Sequence, residues 1–217
     1  MPESSRDIIL RRVREALQQP SPHQPAAPDF SARLFAAAPD DLVVAFAESF
    51  VRVGGTFYYC ATEDHFFDLL YTHKKERNIE HLFVWEPELK KLLHTAGIVH
   101  TADETEFLAH ADAGLTSCEA LVARTGSVVL GAATASGRRL SIYPDQQLVF
   151  ARASQVVADI GDALQLLQTK YGADKLPSMI SLATGPSRTA DIEKTLVLGA
   201  HGPRSITLFL LDDLASA

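Results

Sequence analysis

The 217-residue chain is poor in cysteine and has no long apolar run, and these two shortages exclude several classes of protein. Its cysteines, Cys60 and Cys118, are far apart in sequence and form no CxxC pair. A disulfide-rich scaffold, a four-cysteine zinc site and a ferredoxin-type cluster each need about four thiolates close together, so none of them is expected. No stretch approaches the roughly 18 apolar residues of a membrane helix. Charge is scattered through residues 1–17, where a signal peptide would carry an apolar run of about 7 to 15 residues. The expectation is a cytoplasmic protein without membrane insertion. Positive charge is also scarce, with 20 Lys and Arg against 27 Asp and Glu, a formal net charge of −7. That balance offers no broad positive field, and nucleic acid is not an expected partner. The chain also lacks HExxH, GxGxxG, GxxxxGK[ST] and GxSxG, so no metal, dinucleotide, nucleotide or nucleophile-elbow site is indicated.

What is present suits one globular domain with an appended arm: 47% of residues are apolar and 22% charged. Residues 4–19 place Ile8, Ile9, Val13, Ala16 and Leu17 at helical spacing among Arg6, Arg11, Arg12 and Arg14. Pro20, Pro22, Pro25 and Pro28 then read as an extended linker, because each lacks a donor and biases its predecessor out of the helical region. The division expected is a helical arm with linker, residues 1–28, and an α/β domain, residues 29–217. The arm's apolar side should dock on the body or on a second subunit, which would make a homo-oligomer.

From residue 40 onward, short apolar strands alternate with helical patterns, which predicts an α/β fold with an open mixed sheet flanked by helices. The spacing predicts helices over residues 40–53, 63–77, 88–96 and 156–171. Strands are predicted over 56–60, 81–85, 115–123, 127–130, 140–143, 148–151, 179–183 and 206–211. A tight turn is expected at Thr125 and Gly126, and a flexible loop around Ser136 and Gly137. In residues 181–203 a strand runs into Gly185 and Pro186, and a helix from about Thr189 should follow, capped by Ser187 or Thr189 with Asp191 and Glu193 in its first turns. A helix N-terminus there would present backbone donors to an anion, and Arg188 would add a fork suited to a carboxylate or phosphate. Plain capping with an exposed arginine explains the same residues equally well. Ser187, Asp191 and His201 do not make a convincing triad without a nucleophile elbow, and a histidine between loop residues usually bonds structurally.

The run TGPSRTADIEKTLVLGAHGP, together with ARTGSVVL and RRLSIYPDQQLVF, resembles the lactate utilization protein C family of LUD-domain proteins. The resemblance covers most of the chain from about residue 40. It implies a fold like those of ribose-phosphate isomerase, CoA transferase and 5-formyltetrahydrofolate cyclo-ligase. It further implies a component of a cytoplasmic system that oxidises L-lactate to pyruvate with companion proteins that carry iron–sulfur clusters, this chain having no cofactor of its own. No self-contained catalytic constellation is evident, so whether this chain is itself an enzyme stays open. The motif positions give Thr125, Gly126, Asp145, Gly185, Ser187, Arg188, Thr189, Asp191, Glu193, His201 and Gly202 as expected binding residues for a small carboxylate or other anion. Where relatives often have a histidine, this chain has Gln147. The alternative reading is a free-standing enzyme of the same fold class that acts on a phosphorylated, folate or CoA-linked substrate.

Overall fold

The computed structural model describes residues 4–18, 35, 39–192 and 195–214. The chain divides into two compact units, Met1–Ala37 and Ala38–Ala217. In the first, α1 (Ser5–Gln18) has no buried residue, and the apolar Ile9, Val13 and Leu17 are exposed. The expected linker lies outside the described residues.

The second unit begins with α2 (Leu42–Arg52), where the Asp41 carboxylate accepts the N–H groups of Val43 and Val44, donors that no helical carbonyl can reach. Then follow β1 (Thr56–Cys60), α3 (Glu63–Glu76) capped by Thr62, β2 (Leu82–Phe83) and α4 (Pro87–Thr95), which opens on a proline. Next come α5 (Phe107–His110), β3 (Ala113–Thr116), β4 (Ala120–Val122), β5 (Ser127–Gly131), β6 (Gln146–Arg152) and β7 (Val156–Val157). The chain continues through α6 (Ile160–Tyr171), β8 (Ile180–Ala183), β9 (Arg188–Ile192), β10 (Thr195–Leu198) and β11 (Ser205–Leu211).

The main sheet runs β1-β11-β6-β3-β2, and every pairing in it is parallel. A second, mixed sheet runs β7-β4-β5-β8, and β9 pairs with β10 as a hairpin. Residue alternation stacks these layers. On β11, Phe209 and Leu211 pack with Phe66, Leu70, Leu89 and Leu93 of α3 and α4, while Ile206, Leu208 and Leu210 pack with Phe46, Phe50, Leu121 and Val128 of α2 and the second sheet. Ala120, Val122 and Val129, on the far side of that sheet, pack against Ala163 and Leu167 of α6. The near-continuous burial of β3, β6 and β11 is what a parallel sheet covered on each side requires.

Four expectations are corrected. The predicted helix from Thr189 is the β9–β10 hairpin: Thr189, Val197 and Leu198 take ladder positions, and the β-branched and aliphatic run outweighs the acidic cap signal. The predicted strand 115–123 is two strands in different sheets, broken at the corner Ser117-Cys118-Glu119. Residues 140–143 form turns, with Leu140 fully buried against β3. The helix predicted from residue 156 starts at Ile160, because the Asp159 side chain caps it after the short strand β7.

The face of the main sheet toward α3 holds one buried base. His73 is 2% exposed, with ring nitrogens 3.4 Å from the Tyr58 and Thr207 hydroxyls, and burial, helped by Arg77, holds its pKa below the usual histidine value. The unfolded chain therefore binds more protons than the fold in the window from that lowered value up to about 6.5. Stability should rise with pH across this window and be lost as pH falls through it. The slope between pH 5 and 7 should flatten in His73→Gln, as measured by urea unfolding at a series of pH values; an unchanged slope would show that His73 is not the group responsible.

Candidate functional site

Of the expected site residues, Gly126, Gly185 and Arg188 meet the last turn of α2, and Asp145, Ser187 and Gly202 lie where β6 and β11 begin, at the amino ends of the parallel strands. The β4–β5 turn brings in Gly126, whose φ of 63° is left-handed; a Cβ there would sit 2.5 Å from the Phe50 nitrogen and the Ser49 carbonyl carbon. Gly185 follows β8 with φ 80°, and a Cβ on it would lie 2.3 Å from the Val53 carbonyl oxygen. Two backbone approaches of this closeness leave room only for glycine. Thr125, Ser127 and Thr184 form a hydroxyl chain, with oxygens 2.6 and 2.7 Å apart, that ties the turn to the end of β8.

Ser187 is fixed through its backbone: its N–H donates to the Pro203 carbonyl at 2.9 Å and its carbonyl accepts the Gly199 N–H at 3.0 Å. Gly202 lies against the Ser187 side chain. The Asp145 carbonyl accepts the N–H groups of Arg204 and Ser205, so the YPD and HGP segments meet where β6 and β11 begin. The Asp145–Arg204 ion pair, 3.6 Å and two-thirds exposed, adds little. Thr189 sits in β9 opposite Val197, and Asp191 lies on the same strand. His201 is exposed in the loop before β11. Glu193 lies outside the described residues.

Arg188 does not stand at a helix N-terminus, since no helix begins there. Its Nη2 donates to the Val53 carbonyl at 2.8 Å, satisfying an oxygen that the end of α2 leaves unpaired. Neither sequence reading anticipates this contact, which closes the end of α2 and not a helix of its own segment. The donor is a charged guanidinium, and a bond of this kind is worth about 1.5 kcal/mol. Arg188→Ala should therefore lose about that much stability in a thermal-shift series, with Arg188→Lys in between. An unchanged melting temperature would free the guanidinium for a ligand.

A second polar group lies at the opposite, carboxyl ends of β2 and β3, and motif reasoning missed it. Glu86, 8% exposed, accepts the Ser117 N–H at 3.1 Å and the Ser136 hydroxyl at 2.6 Å on one oxygen. Ser136 is thus buried and anchored, where the sequence suggested a flexible loop. Glu119, 4% exposed, accepts Lys170 Nζ and the Tyr171 hydroxyl, each at 2.7 Å. Burial and both carboxylates push the thiol of Cys118, between them, far up. Thr116, Cys118, Glu119, Thr134 and Ser136 line a cavity with room for about one water. These contacts span 31 to 52 residues of sequence, so no local pattern announces them.

Among known proteins, the LUD domain family model matches residues 43–211. The chain belongs to the LUD domain family. Lactate utilization protein C of Shouchella clausii is 35% identical over 103 residues, 48% of this chain and 45% of that protein. Lactate utilization protein C 1 of Bacillus mycoides is 33% identical over 119 residues, 54% of this chain and 50% of that protein. The chain spans about half the length of these curated relatives. A DUF162 family protein from Deinococcus radiodurans superposes with a TM-score of 0.58 at 18% identity, covering 78% of this chain and 96% of that one, which is a likeness of fold. In this LUD domain, then, the sequence motifs build a joint at the amino ends of the main sheet, while buried carboxylates gather at the carboxyl ends, where open parallel sheets usually receive ligands.

Proposed function

We propose that this LUD domain protein is a cytoplasmic component of an L-lactate-oxidising system, handling a small hydroxy-carboxylate while iron–sulfur companions carry the electrons. The names of the relatives supply the pathway. The observation that carries the division of labour is the placement of the thiols: Cys60 packs in the core toward α3 and Cys118 in the core toward α2, on opposite faces of the main sheet. Burial raises the Cys60 thiol to about 11 and pushes Cys118 up as well. Protonated, buried thiols on opposite faces cannot share a cluster or act as nucleophiles at neutral pH. The proposal includes fold kinship with CoA transferases and folate cyclo-ligases, but no acyl or phosphate chemistry for this chain.

The test is genetic. A strain deleted for this chain should fail to grow on L-lactate, grow normally on pyruvate, and recover when the gene is restored. Unimpaired growth of the deletion strain on L-lactate would overturn the reading.

A further inference from the structure

Residues 132–145, between β5 and β6, form a strap over the face of the main sheet that carries Gly114, Thr116, Gln147 and Val149. The parallel register pairs Gly114 with Gln147 and Thr116 with Val149, so all four point to one side, and Val149 lies in the core toward the second sheet. Arg138 ties the strap to Ser178, Ala132 and Asp145 fix its two ends to Met179 and to the start of β11, and further side chains pin its middle. Ser136 donates to Glu86, Arg139 pairs with Glu104 and lies 5.2 Å over the Trp85 ring, and Leu140 fills the space above Gly114. A Cβ on Gly114 would come within 2.5 Å of the Leu140 carbonyl oxygen, so glycine is what lets the strap lie this close.

Three buried side-chain polar atoms are left unsatisfied among the described residues: Trp85 Nε1, beneath Arg139, and two on this sheet face. Thr116 Oγ1 and Gln147 Nε2, on residues 2% and 1% exposed, find no hydrogen-bond partner among the described residues. Leaving such groups dry is costly, and native proteins rarely do so without a ligand or water to meet them. The two residues are one strand and two positions apart, about 8 Å between their Cα atoms from strand spacing and rise. Gln147 Nε2 and the Thr116 hydroxyl are donors suited to carboxylate oxygens. Glu86, one residue from Thr116 through its bond to the Ser117 N–H, is an acceptor suited to an alcohol.

We propose that this sheet face is a binding site for a small 2-hydroxy-carboxylate, closed in this structure by Leu140 and opened when the strap lifts. Gln147 and Thr116 hold the carboxylate, and the ligand hydroxyl replaces that of Ser136 on Glu86. The site deepens the lactate reading and rests on it for its biological ligand.

The test titrates the full chain with sodium L-lactate, followed by calorimetry and by the fluorescence of Trp85, the single tryptophan, which Arg139 of the strap covers. L-lactate should bind more tightly than propionate, which lacks the hydroxyl, and than 1,2-propanediol, which lacks the carboxylate. Leu140→Ala and the milder Ser136→Ala should both tighten binding by weakening closure. Thr116→Val and Gln147→Leu should each weaken it on the order of tenfold while leaving the melting temperature level or higher, since each removes an unsatisfied buried group. No binding to the wild type, Leu140→Ala or Ser136→Ala would overturn the site. Binding that survives Thr116→Val and Gln147→Leu, or that matches propionate binding, would also overturn it. Absent binding beside a strain that needs the gene for lactate growth refutes this site and leaves the lactate role standing; tight binding beside a strain that does not need it refutes the role.

Discussion

Gly126→Ala should destabilise the protein by about 3 kcal/mol, through the left-handed backbone and the overpacking together. At φ 63° an L-residue is strained, and its Cβ would press on the Phe50 nitrogen and the Ser49 carbonyl carbon, main-chain atoms of α2 that no rotamer change can move aside. The protein carries its own control. Gly137 has φ 59° with nothing within 4 Å of the added carbon, so Gly137→Ala should cost only about 1 kcal/mol. Urea denaturation of the two variants separates strain from close approach. Equal losses would mean that the β4–β5 turn does not bear on α2 as described.

The second large effect is expected at Glu119. Its carboxylate is buried, and Lys170 and Tyr171 satisfy one oxygen each. Removing both donors in Lys170→Met with Tyr171→Phe leaves a buried charge unpaired, a loss of about 3 kcal/mol. Glu119→Gln, which keeps an acceptor oxygen and drops the charge, should cost less than that double variant. Gly131 belongs to the same arrangement, because a Cβ there would lie 2.7 Å from Glu119 Oε1. Equilibrium unfolding of the variants checks the order, and a double variant as stable as the wild type would show that the carboxylate is not held as an ion.

Much of the scaffold is legible from sequence because its signals are local. The helical patterns of residues 40–53 and 63–77 lie on α2 and α3, and the continuous apolar run of residues 206–211 marks a strand buried on both faces. The glycine turns at Gly126 and Gly185 were readable for the same reason. The segment after Arg188 was misread because two local signals conflict there: acidic residues after a serine suggest a capped helix, while Thr189, Thr195 and Val197 favour a strand, and pairing between β9 and β10 decides the matter. The carboxylate group was invisible because Glu86, Glu119, Ser136 and Lys170 meet only after the two sheets stack. Leu140 likewise read as strand because its burial depends on a glycine, Gly114, on another strand.

Reconstitution decides whether this chain serves lactate oxidation while the proposed companions carry the redox centres. Extracts of the deletion strain would be assayed for L-lactate-dependent reduction of an artificial electron acceptor, with and without the purified full-length chain added back. Little reduction is expected without the chain and restored pyruvate formation with it, from a colourless preparation that contains no iron. Full activity in extracts lacking the chain, or an iron–sulfur absorption band that belongs to the chain itself, would contradict this reading.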